Sequence, residues 1–142
     1  MLDHPKEEEQ ALASEIRENV LYSDEHEWVL DLGDGTVKIG ISDVAQHRLG
    51  DIVFVELPEP GQEFEAQEGI GTIESVKTVA DLFTPVSGTV LAVNRELDTA
   101  PELVNEEPYD GGWMVHIRLK EDANVALANL MDAKAYAEFI ER

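Results

Sequence analysis

The sequence predicts a mainly β domain, a sandwich or barrel with helical ends, on three observations. From Glu27 onward, apolar residues recur at the two-residue spacing of strands. Glycine and proline clusters, Gly33-Asp34-Gly35 and Pro58-Glu59-Pro60-Gly61 among them, interrupt those segments as turns do in an all-β chain. A length of 142 residues with 43% hydrophobic content is enough for one ordinary core.

Leu12, Ile16 and Val20 recur every four residues and predict a short helix face within an acidic extension over residues 1–21, helical or disordered. Residues 28–32 read as a strand, the Gly-Asp-Gly run as a hairpin turn, and Val37, Ile39 and Ile41 as its half-buried partner. Ser42 reads as the N-cap of a helix reaching Arg48, with Gly50 just past its end. The continuous apolar run at 52–57 predicts a strand buried on both faces, stopped by the prolines that follow. Residues 70–76 and 78–83 form a strand pair around Lys77, and 89–94 and 113–119 complete the set. The spacing of Val125, Leu127 and Leu130, then Tyr136 and Ile140, predicts one or two closing helices with Asp132 as a cap. A loose repeat, strand then P-x-x-G, occurs at 54–61 and again at 82–88 and is compatible with two related β halves.

Composition narrows the function. A formal net charge of −21 argues against nucleic acid and against an anionic membrane surface, both of which select Lys and Arg. No apolar run reaches spanning length. Without cysteine there is no disulfide framework and no thiol nucleophile, and the four histidines are scattered. Phosphate-loop, dinucleotide-binding and serine-elbow patterns are also missing. The chain reads as non-catalytic by itself, so demanding chemistry must come from a partner or a prosthetic group.

Between residues 49 and 94 the only basic residue is Lys77, against eight acids from Asp51 to Asp81. It lies where two strand-like segments meet, which places it at or beside a hairpin tip. That turn contains no Asn-Gly or Asp-Gly pair. A Schiff-base lysine needs desolvation or a neighbouring cation, whereas Glu74 and Asp81 favour the charged form. A plain surface lysine and a lysine displayed for modification by another enzyme are the remaining readings.

The residues around it carry a resemblance. Gly71-Thr72-Ile73-Glu74-Ser75-Val76-Lys77-Thr78-Val79-Ala80-Asp81-Leu82 closely resembles the lipoylation site of the glycine cleavage H-protein family. The likeness extends over about residues 22–141, through His26-Glu27-Trp28-Val29, Leu49-Gly50-Asp51-Ile52, Pro101-Glu102-Leu103-Val104-Asn105 and Gly111-Gly112-Trp113. Biotin carriers usually flank their lysine with methionines, where this chain has Val76 and Thr78.

The resemblance implies a barrel-sandwich hybrid of the lipoyl/biotinyl-carrier kind over residues 22–142, with short helices at the N-terminus, after the second strand and at the C-terminus. It implies a carrier rather than an enzyme, with lipoic acid amide-linked to Lys77. Glu74, Ser75, Val76 and Asp81 would form the recognition and turn environment, and Glu27 a possible contact for the loaded arm. The partners implied are the glycine decarboxylase (P-protein), the aminomethyltransferase (T-protein), dihydrolipoamide dehydrogenase (L-protein), and a lipoate ligase or lipoyl/octanoyl transferase. The carrier would take the aminomethyl group from the first to the second and be reoxidised by the third. Some family members also donate lipoyl groups to other enzymes. The family often has histidine where this chain has Arg48, and a guanidinium there would repel a cationic aminomethyl group; Ala80 replaces a common serine. The acidic start, unlike an Arg-rich transit peptide, points to a bacterial or archaeal cytoplasm.

Overall fold

Apolar residues on strands that alternate in and out need a second layer to bury them, and two antiparallel sheets supply it. The computed structural model describes residues 14–141. In chain order the elements are β1 (Leu21–Tyr22), β2 (Glu27–Asp31), β3 (Thr36–Ile41), α1 (Asp43–Leu49), β4 (Ile52–Glu56), β5 (Glu63–Phe64), β6 (Gly69–Ser75), β7 (Val79–Phe83), β8 (Gly88–Val93), a 3-10 turn (Arg95–Asp98), α2 (Leu103–Glu106), β9 (Val115–Leu119), α3 (Ala123–Ala126) and α4 (Ala133–Ile140). One sheet runs β1-β2-β3-β9-β8-β5 and the other β4-β6-β7. This is the mainly β, sandwich-like architecture expected, with neither sheet closed into a barrel.

The main core includes Ile39, Val37, Val115 and Ile117 from the larger sheet, and Val55, Ile73 and Leu82 from the smaller. A second, aromatic cluster gathers Tyr22, Trp28, Tyr109 and Tyr136, with Tyr22 and Tyr136 stacked at 4.1 Å between centroids. Trp28 pairs with Gly40 across β2 and β3, and a Cβ on Gly40 would strike the indole 2.6 Å away. The Trp28 indole N–H donates to the Pro108 carbonyl at 2.9 Å, so its one polar atom is satisfied.

Several local expectations hold for the reasons given. Gly33 and Gly35 adopt positive φ in the β2–β3 turn. The Ser42 hydroxyl accepts the Ala45 N–H to cap α1, and Gly50 ends it at φ +82°. Asp132 caps α4 by accepting the Ala135 N–H at 2.8 Å. The two P-x-x-G segments mark the two places where the chain crosses from the small sheet to the large one, and the strands that follow them, β5 and β8, pair antiparallel.

Other expectations are corrected. β4 is not buried on both faces: Val53 and Phe54 are open to solvent because a bulge between Ile52 and Phe54 turns the strand and only Ile52 and Val55 face inward. Residues 1–13 of the expected extension lie outside the described residues. Residues 14–20 form bends and turns instead of helix, because side-chain and backbone bonds to the domain replace the helical ones. Ile16 and Val20 pack into the aromatic cluster, and Arg17 makes a paired contact with Asp110 at 2.8 and 2.9 Å. The two-residue strands β1 and β5, the 3-10 turn and α2 are too short to leave a periodic signal.

Gly71 marks a close approach of two strands, since a Cβ there would collide with the carbonyl oxygen of Glu56 on β4. Gly71→Ala should lower stability by about 1–3 kcal/mol, read as a lower urea midpoint at unchanged slope.

Candidate functional site

The β6–β7 hairpin is in register from Gly71 opposite Leu82 to Glu74 opposite Val79, which leaves Ser75, Val76, Lys77 and Thr78 to turn the chain. No residue of this turn has positive φ, so it is not the mirror-image turn that Asn-Gly would supply. Ser75 closes it instead. Its hydroxyl, on a residue only 6% exposed, accepts the N–H groups of Lys77 at 3.2 Å and Thr78 at 3.1 Å and donates to the Thr78 carbonyl at 3.3 Å. The Ser75 N–H also donates to the Thr78 carbonyl at 2.8 Å.

A second set of bonds fixes the hairpin to the body of the domain. The Val76 N–H donates to the Asp51 carbonyl at 3.0 Å. Asp51 lies in the corner between α1 and β4, and that corner is held by Asn105 of α2. The Asn105 amide oxygen accepts the Ile52 N–H at 2.9 Å. Its nitrogen donates to the Gly50 carbonyl and to the Gln46 side chain, both at 2.9 Å. Asn105 therefore satisfies three groups from three positions of the corner.

On this platform Lys77 is exposed, and its ammonium has no hydrogen bond or ion pair among the described residues. Its aliphatic stem passes over Gly50, where a Cβ would come within 3.3 Å of the Lys77 Cε. The backbone is anchored while the amine is free. Glu74 and Asp81 are exposed on the outer face of the small sheet, and Val76 is 68% exposed beside Lys77.

Glu27 has a different setting from those two acids. It is 2% exposed, at the start of β2, and its carboxylate pairs with the Ser23 hydroxyl at 2.6 Å. Burial raises its pKa to about 7, partly offset by hydrogen bonding to Ser23 and to the Phe83 backbone on β7. Glu27 is thus neither a solvated surface acid nor, in this conformation, presented to an arm on the surface.

Sequence reasoning missed the role of His26. This residue has φ +67° in the turn before β2. Its Nε2 accepts from Arg48 at 3.2 Å, since a guanidinium can only donate. Nδ1 then carries the proton and donates to the Tyr136 hydroxyl at 2.7 Å, which shares a further hydrogen bond of 2.8 Å with Ser42 Oγ. Burial, and then the charge of Arg48, push the His26 pKa down and keep the ring neutral. Arg48 is therefore occupied in holding α1 to β2 and α4. No spacing in the sequence brings residues 26, 42, 48 and 136 together; only the packed fold does.

The family model described as Glycine cleavage H-protein matches residues 20–142. The chain belongs to the glycine cleavage H-protein family. A glycine cleavage system H protein of Chromohalobacter salexigens is 56% identical over 123 residues, covering 87% of this chain and 92% of the relative. One from Vibrio vulnificus is 53% identical over 120 residues, covering 84% and 94%. The crystal structure of a glycine cleavage system H protein from Mycobacterium marinum superposes with a TM-score of 0.80 at 36% identity, over 89% of this chain and all of that one. The described residues contain no cluster of metal-ligating side chains and no helix long and apolar enough to cross a membrane.

Ser75→Ala removes the acceptor for two amides and should cost about 1–3 kcal/mol, with faster hydrogen exchange confined to the amides of Lys77 and Thr78. For Glu27, the raised folded-state pKa means that its stabilising contribution is complete below the ordinary carboxylate range and is lost as pH rises through about 7. Relative to Glu27→Gln, the native protein should lose about 3 kcal/mol of stability as pH rises from about 4.5 through 7, levelling off about one unit above that, measured by urea unfolding across the range.

Proposed function

We propose that this chain is the lipoyl-bearing carrier of the glycine cleavage system and that Lys77 is the attachment point. The observation that carries the reading is the contrast at the hairpin tip: a backbone held by Ser75 and Asp51, and an amine with no partner among the described residues. These residues fit lipoic acid in amide linkage, which requires an accessible, unpaired amine and tolerates loss of its charge. When bound, the group supplies a dithiolane able to accept a one-carbon amine unit and to cycle between disulfide and dithiol, which a chain without cysteine cannot do.

The chain itself contributes position and field. A short, rigid turn fixes the root of the arm, so that each partner enzyme meets the carried group at high effective concentration. Glu74, Ser75, Val76 and Asp81 form the surroundings that an attaching enzyme reads. Glu27 is buried at the start of β2 and accepts from the Ser23 hydroxyl. The charge of −21 favours partners with basic rims, chiefly through association rate. The partners in this reading are the glycine decarboxylase, the aminomethyltransferase, dihydrolipoamide dehydrogenase, and a lipoate ligase or lipoyl/octanoyl transferase. With relatives from bacteria such as Chromohalobacter and Vibrio, the location is a bacterial cytoplasm.

Intact-mass measurement of protein from its native host should show one lipoyl increment that Lys77→Arg abolishes without change in thermal midpoint. The modified protein should support glycine–bicarbonate exchange by the decarboxylase and the Lys77→Arg variant should not. Association with the decarboxylase should slow at least about tenfold between low salt and ~0.5 M, as screening removes the long-range field. A salt-independent rate contradicts the steering.

A further inference from the structure

We propose that the outer face of the small sheet is the docking surface for the enzyme that attaches the acyl arm, with Phe54 and Val79 as its apolar anchors. The proposal rests on the reading of Lys77 as the attachment point. In register, Phe54 of β4, Glu74 of β6 and Val79 of β7 lie side by side across the three strands. The neighbouring row, Val55-Ile73-Ala80, points into the core, so the Phe54 row points outward. Phe54 is 54% exposed and Val79 60%, and Val53 and Val76 at the same end are also exposed. Four of the six large apolar side chains exposed among the described residues thus cluster at the Lys77 end of one face. Single exposed apolar residues are ordinary; a cluster beside a modification site calls for a partner.

Charge and reach identify that partner. Around the patch lie Asp51, Glu56, Glu74 and Asp81, all exposed, and the only basic residue from 49 to 94 is Lys77 itself. A complementary surface is an apolar slot rimmed by Lys or Arg, which belongs to a protein and not to a nucleic acid or an anionic membrane. An enzyme that acylates Lys77 must bring its reaction centre to the amine at the end of a four-carbon stem. It therefore covers the surface immediately around the turn. Enzymes that use the finished, longer arm can dock further away.

The test compares initial rates of lipoylation of the unmodified protein by a lipoate ligase supplied with ATP and lipoate, followed by intact mass. In Phe54→Thr/Val79→Thr the KM for the carrier should rise roughly tenfold or more, with kcat within about twofold of the native value. Both side chains face solvent, so the thermal midpoint should hold; Val79→Thr alone gives the same direction should the pair fold poorly. Val125→Thr, an exposed apolar site outside the patch, should react like the native protein. Native KM in the double variant, or equal slowing in Val125→Thr, overturns the docking surface. Normal lipoylation of the double variant with impaired glycine–bicarbonate exchange also overturns it, by assigning the patch to an enzyme that uses the arm. Failure of the native protein to be modified at Lys77 would instead sink the attachment reading itself.

Discussion

The placement of Lys77 depends on the Asn105 amide. A hairpin that projects from a three-stranded sheet would splay at its tip unless something beyond the sheet ladder restrained it. The restraint is the Asp51 carbonyl, which accepts the Val76 N–H, and Asp51 can serve only while the α1–β4 corner is fixed. Asn105 fixes it by meeting Gln46, Gly50 and Ile52 at once. An amide suits this position because it offers donors and an acceptor without charge; a carboxylate would repel the Gly50 carbonyl.

Rigid support and a free head are therefore assigned to different atoms of the same turn. Ser75 gives its hydroxyl to the backbone of Lys77 and Thr78 and leaves nothing for the ammonium. Gly50 serves twice, as the left-handed end of α1 and as a floor low enough for the Lys77 stem to lie across. A residue with a Cβ would be strained at φ +82° and would crowd the lysine.

Beneath the site, polar groups are buried only where they are paired. Among the described residues no buried side-chain nitrogen or oxygen lacks a partner. The run from Arg48 through His26 and Tyr136 to Ser42 joins α1, the turn before β2 and α4 through hydrogen bonds that require a neutral histidine. Glu27 follows His26 directly and is buried, accepting from the Ser23 hydroxyl.

By itself the sequence determined what local chemistry determines: the strands from β2 to β9 except the two-residue β5, the Ser42 and Asp132 caps, the Gly33 and Gly35 turn, and Lys77 as the lone cation at a hairpin. Each rests on periodicity, a cap or a turn residue within a few positions. The tertiary structure decided what depends on distant partners. It turned Phe54 outward through a bulge, buried Glu27 and raised its pKa, and gave Arg48 to His26 and Asn105 to the α1–β4 corner. It also packed residues 14–20 on the domain where a helix face was expected. A carboxylate on the surface and one in the core are the same letter in a sequence; only the neighbours brought by folding change its solvation and hence its chemistry.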